Sequence, residues 1–118
     1  MAKIMVVNHP GLQRMMIKNI VRSENHEVIE LDKGYKVLRQ YDEMQPDLII
    51  LSDDLPDMDG MDVMTDLLST HPEARVLLMV GVNHLERALQ AMEAGAVGHA
   101  FIPVNRMELM ETIRDILG

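Results

Sequence analysis

The chain contains no cysteine. That excludes a disulfide scaffold, a thiolate zinc site and a cysteine nucleophile. Lack of cysteine also suits a reducing compartment, and a cytoplasmic location is the expectation. Positive charge is scarce as well, with 11 Lys and Arg against 19 Asp and Glu and a net charge of -8. No cluster of basic residues is present, so a nucleic-acid surface is not expected. No apolar run approaches the roughly 20 residues that a membrane span needs. The opening stretch Met1–Val7 carries one lysine and runs straight into polar residues, too short for a signal peptide. Aromatic residues are only 3% of the chain, whereas methionine reaches 12 residues. Flexible thioethers fill irregular gaps in a core or form adaptable contact surfaces.

What is present describes one compact domain over residues 1–118. An apolar fraction of 47% in 118 residues fits a single core. The acid is concentrated: Asp53, Asp54, Asp57, Asp59, Asp62 and Asp66 fall in one stretch with no basic residue. That end of the molecule is expected to repel phosphate backbones and to attract cations or a basic partner.

Short apolar runs read as buried parallel strands at Ile4–Val7, Val28–Leu31, Leu48–Leu51, Val76–Val80 and Val97–Ile102. Segments of helical periodicity lie between and after them. The punctuation agrees. Pro10-Gly11 opens the first helix, Asp59 caps the third, and Asn83 and Asn105 each stand three residues before a glutamate. His71-Pro72 closes the third helix, and Ala94-Gly95-Ala96 ends the fourth. Five strands alternating with five helices predict an α/β sandwich with a parallel sheet covered on both faces. Right-handed crossovers favour a doubly wound, flavodoxin-like sheet in the order 2-1-3-4-5. Such sheets place sites at the carboxyl ends of the strands where winding reverses. Those ends carry Asn8-His9 and Ser52-Asp53-Asp54.

The run Pro46–Leu51, the loop Pro56-Asp57-Met58-Asp59-Gly60, Ala94-Gly95-Ala96, Arg14 and Pro103 together carry a family pattern. On these residues the chain resembles a response-regulator receiver domain of the two-component, chemotaxis-regulator type. The resemblance covers essentially the whole chain, but the residues that it makes responsible for phosphotransfer are missing. It implies two acids after the first strand that help hold Mg²⁺, where this chain has Asn8 and His9. It implies a phosphoacceptor aspartate four places before Pro56, where Ser52 stands. It implies a hydroxyl at the end of the fourth strand, where we place Val80, followed by Gly81. It implies a lysine before Pro103, where Ile102 stands, and an aromatic switch residue at the position of His99.

Aspartyl phosphorylation needs a carboxylate nucleophile, Mg²⁺ against the phosphoryl oxygens and donors that hold them. Magnesium binds through carboxylates and water, and an amide and an imidazole do not replace that charge. A serine hydroxyl is a weak nucleophile without a base. The expectation is a phosphorylation-independent receiver with no catalytic residue, no metal and no cofactor, acting by contact with a protein partner or with a second copy. Its contact surface is expected around the fourth helix, fifth strand and fifth helix, with His99, Arg106, Met107 and Met110 as candidates. The acidic run from Asp53 to Asp66 is a second candidate surface, for a basic partner.

Two rival readings stand beside it. In one, a bulge presents Asp53 as a conventional phosphoacceptor with Mg²⁺. In the other, the altered pocket with His9 and Asp54 senses a small ligand or a metal. A His9–Ser52 hydrolytic pair lacks the Gly-x-Ser-x-Gly elbow and oxyanion donors. The fragment Asp57-x-Asp59-Gly60 hints at a calcium loop, but Leu55 stands at its first ligand position.

Overall fold

The computed structural model describes residues 1–118. Five strands alternate with five helices: β1 Lys3–Val7, α1 Gly11–Ser23, β2 Glu27–Leu31, α2 Gly34–Met44, β3 Leu48–Ser52, α3 Gly60–Thr70, β4 Val76–Gly81, α4 Leu85–Glu93, β5 Gly98–Ile102 and α5 Arg106–Leu117. The strands pair in parallel in the order β2-β1-β3-β4-β5. This is the predicted flavodoxin-like arrangement. No helix is long and apolar enough to cross a membrane.

Strand alternation divides the core into two layers. Met5, Val7, Ile49, Leu51, Leu78 and Val80 pack against α2, α3 and α4. Ile4, Val6, Leu48, Ile50, Leu77 and Met79 face α1 and α5. Every residue of β3 is buried, as expected for the middle strand of a sheet covered on both faces. Ser52, the last residue of β3, is opposite Met79 of β4, and Gly81 is opposite Ile102 of β5. The register thus brings the carboxyl ends of β3, β4 and β5 to one rim.

Local capping follows the sequence at α3 and α5, departs from it at α4, and at α2, where no cap was expected, comes from a distant residue. Asp59 Oδ1 accepts from Met61 N at 2.8 Å, and Asn105 Oδ1 accepts from Glu108 N at 3.0 Å. Gly95, just past α4, adopts a φ of 111°, a left-handed turn that glycine enters without strain. Asn83 does not cap α4. The chain first makes a turn in which His84 N donates to Gly81 O, so His84 takes the cap position without a side-chain bond. Lys33 precedes α2 and also offers no cap. Its place is taken from a distance by Asp57, which accepts from Gly34 N at 2.8 Å and Tyr35 N at 3.1 Å.

Partial burial opposes the charge on Asp57, but the two amide bonds outweigh it and hold its carboxyl below the ordinary value of 3.8. A depressed carboxylate contributes stability that is complete above the unfolded value and is lost as pH falls through the folded one. Asp57→Ala is therefore expected to lower unfolding stability by about 1 kcal/mol at neutral pH, the usual worth of a helix cap. The gap to the native protein should narrow below pH 3.8. Urea titrations at neutral and acid pH would measure both.

A cavity at the carboxyl end of the sheet

The sheet winds one way from β1 to β2 and the other way from β1 to β3. At that switch point opens a cavity of about 490 Å³ lined by His9, Pro10, Gln13, Ser52, Asp53, Asp54, Asp59, Gly81, His84, Arg87 and Ile102. Five of the residues expected at the site therefore meet there: His9, Ser52, Asp53, Asp54 and Ile102.

Asn8 and Val80 do not line the cavity. Asn8 is fully buried at the end of β1, where Gln13 Nε2 donates to its Oδ1 and Arg14 Nη1 donates to its backbone oxygen at 3.0 Å. The Asn8 Nδ2 group has no hydrogen-bond partner. Val80 is a correction to the sequence reading. Strand β4 runs one residue further than expected, and alternation turns Val80 into the core layer beneath α2 to α4. Gly81 is the residue that reaches the cavity. The edge from β4 thus offers no side chain at all, neither a hydroxyl nor a hydrocarbon.

Ser52 is 1% exposed. Its Oγ lies 3.3 Å from both the amide nitrogen and the carbonyl oxygen of Asp54, closing a local turn. No hydrogen bond joins it to His9. Asp53 is held on three sides. Its amide donates to Met79 O at 3.0 Å, its carbonyl accepts from Gly60 N at 2.8 Å, and its carboxylate accepts from Arg87 Nε at 2.7 Å. The same guanidinium reaches Asp59 Oδ1 with Nη2, also at 2.7 Å.

Arg87 escaped the sequence reading, although a signal existed. It is the only Lys or Arg between Arg75 and Arg106, and it follows a run of acids that has none. Burial pulls its pKa down, but the bonds to Asp53 and Asp59 prevail and raise it above the ordinary arginine value. It is a permanent cation at this site.

The donor set does not fit Mg²⁺. Asn8 and His9 stand where two acids would be needed, and Asn8 Oδ1 is engaged by Gln13. Asp53 and Asp59 are engaged by Arg87, which leaves Asp54 as the one cavity carboxylate outside an ion pair. Nowhere do three His, Asp or Glu side chains converge closely enough to hold a metal ion. The calcium-loop hint fails for the same reason: Asp57 caps α2 and Asp59 caps α3.

The second predicted region is only partly assembled. His99 is half-buried on β5 with its ring edge-on to Phe101 at 5.4 Å. It lines a groove of about 620 Å³ with Arg75, Met92, Val97, Glu108, Thr112 and Asp115 among its neighbours. Arg106 and Met107 are exposed in the first turn of α5 but lie outside that groove. Met110 is corrected: it is half-buried and packs against the core layer of α1 and α5. Helical periodicity explains the difference, because Glu108, Thr112 and Asp115 share one face and Met110 lies next to the buried Leu109 and Ile113.

Known proteins agree with this architecture. Chemotaxis protein CheY of Listeria monocytogenes is 28% identical over 114 residues, covering 96% of both chains. Transcriptional regulatory protein CitB of Klebsiella pneumoniae is 31% identical over 114 residues, covering 93% of this chain and 47% of CitB. A solved response regulator receiver domain protein from Clostridium thermocellum superposes with a TM-score of 0.90 at 25% identity, over 99% of this chain and 94% of that one. The response regulator receiver domain pattern itself matches residues 4–114, and the chain belongs to that family.

Proposed function

We propose that this receiver domain of two-component signalling works without being phosphorylated and transmits its signal by protein contact alone. One observation carries the reading. The strand end that should present a phosphoacceptor presents the buried Ser52, and the neighbouring carboxylate, Asp53, is closed into an ion pair with Arg87 at 2.7 Å.

Phosphoryl transfer to Asp53 would require that carboxylate to leave its guanidinium partner. It would then meet no Mg²⁺ site, no lysine at Ile102 and no hydroxyl at Gly81 to hold the phosphoryl oxygens. Each missing donor raises the barrier, and their absence together favours loss of the reaction over slow turnover. The contact surface proposed is the α4–β5–α5 face around His99, with the acidic Glu108 and Asp115 at its edge. Such a surface suits a partner that brings positive charge.

Incubation with beryllofluoride and Mg²⁺, followed by mass and spectroscopic measurement, tests the reading. The expected outcome is no adduct and no change in amide spectra. An adduct on Asp53 would restore the conventional phosphoacceptor.

A further inference from the structure

We infer that Arg87 is a built-in counter-cation for this site, and that its bridge to Asp53 and Asp59 staples α4 to the β3–α3 loop. The inference rests on the reading that the site carries no phosphoryl chemistry, and it assigns the charge-neutralising role to a side chain of the protein itself.

Three observations support it. The first is geometry. One guanidinium uses separate nitrogens, Nε and Nη2, to reach two carboxylates at 2.7 Å each. Only arginine has a planar fork that makes this double contact. The second is burial. The Asp53 side chain is 11% exposed and that of Arg87 27%, so the pair is screened less than a surface ion pair.

The third is a broken local rule. Arg87 is the third residue of α4, in a first turn whose amide ends favour negative charge. A cation there works against the helix, Glu86 in the same turn does no more than offset it, and His84 gives α4 no side-chain cap. A nine-residue helix without a side-chain cap is marginal by itself. The two aspartates reverse the balance by attracting that cation from outside the helix. They come from the end of β3 and the start of α3, so the helix is anchored to the rim of the sheet.

The staple has a consequence for the surface. Leu85, Leu89 and Met92 lie at i, i+4 and i+7 on α4 and are 57%, 58% and 41% exposed. Their direction is set by how α4 sits on the sheet. With Arg87 paired, that apolar stripe has one fixed orientation in the absence of any ligand.

The test combines hydrogen exchange over residues 82–93 with thermal melts in millimolar MgCl₂, on the native protein, Arg87→Ala and Arg87→Lys. In Arg87→Ala the α4 amides should exchange about tenfold faster. Its melting temperature should also rise with Mg²⁺, because Asp53 and Asp59 lose their counter-charge beside the already unpaired Asp54 and the crowded negative charge attracts a divalent ion. The native protein should show no such rise. Arg87→Lys keeps the charge but cannot bridge both carboxylates, so it should exchange faster while gaining little from Mg²⁺. Unchanged exchange in both variants would overturn the staple. An equal Mg²⁺ response in native protein and Arg87→Ala would overturn the counter-cation. Phosphorylation of the native protein would instead sink the contact-only reading while leaving the exchange result standing.

Discussion

Gly60→Ala should remove a large share of the receiver's stability. A Cβ on Gly60 would lie 2.0 Å from the backbone oxygen of Ser52, 2.7 Å from Asp53 Cα and 2.8 Å from the Ser52 carbonyl carbon. None of these is the mobile end of a side chain. The strand cannot retreat, because β3 is paired on both sides and buried throughout. The helix cannot retreat without breaking the bond from Gly60 N to Asp53 O at 2.8 Å and displacing Val63, Met64 and Leu67 from the core. Relief requires α3 to move as a body, at a cost of about 4 kcal/mol or more. That is a large share of the roughly 5–15 kcal/mol by which such domains are stable. Far-ultraviolet circular dichroism against urea would measure it. Asp66→Ala, exposed on the same helix, is the control and should stay within about 0.5 kcal/mol of the native protein. A small effect at Gly60 would mean that the β3–α3 junction is looser than its contacts require.

Ser52→Asp should damage the domain without restoring phosphotransfer. The substitution places a carboxylate four places before Pro56, in a site that on the proposed reading does not support phosphotransfer. Ser52 is buried and its hydroxyl bonds only to the backbone of Asp54. A carboxylate there meets Asp53, Asp54 and Asp59 around the same cavity, and Arg87 is already shared by two of them. Leaving a buried charge without a partner costs about 3 kcal/mol at neutral pH. Burial and like charge raise the folded-state pKa of the new acid above its unfolded value of about 3.9. The penalty is therefore complete above the raised value and disappears as pH falls toward the unfolded one. Urea titrations at neutral and mildly acid pH would show this recovery. Beryllofluoride with Mg²⁺ should still form no adduct. If Ser52→Asp alone accepts it, the remaining residues form a more competent site than their chemistry suggests.

Both expectations combine residues that are close in the chain with residues that are not, and this division separates what was legible from what was not. The five strands could be read because a buried parallel strand is a run of apolar side chains. The caps at Asp59 and Asn105 could be read because a cap acts two or three residues along the chain. That Ser52 stands four places before Pro56, on which the proposed loss of phosphotransfer rests, was legible from the chain alone. Val80 and Gly81 were confused because a strand end has no sharp signal, and one residue of extension inverts which side chain faces the cavity. Met110 was misplaced for a related reason: the phase of α5 is set by its packing on the sheet. The caps of α2 and α4 were missed because α2 takes its cap from Asp57, 23 residues away, and the turn from Gly81 to His84 occupies Asn83.

The order of elements, the two-layered core and the place of Ser52 four residues before Pro56 follow from periodicity or short spacing along the chain. The partner of Asp53 at the cavity is set by the fold. Arg87 and Asp53 are 34 residues apart, and their meeting depends on β3, β4 and α4 reaching one rim in register. A side chain's charge can be read from the chain, but its partner is chosen by the fold, since electrostatic attraction depends on distance in space.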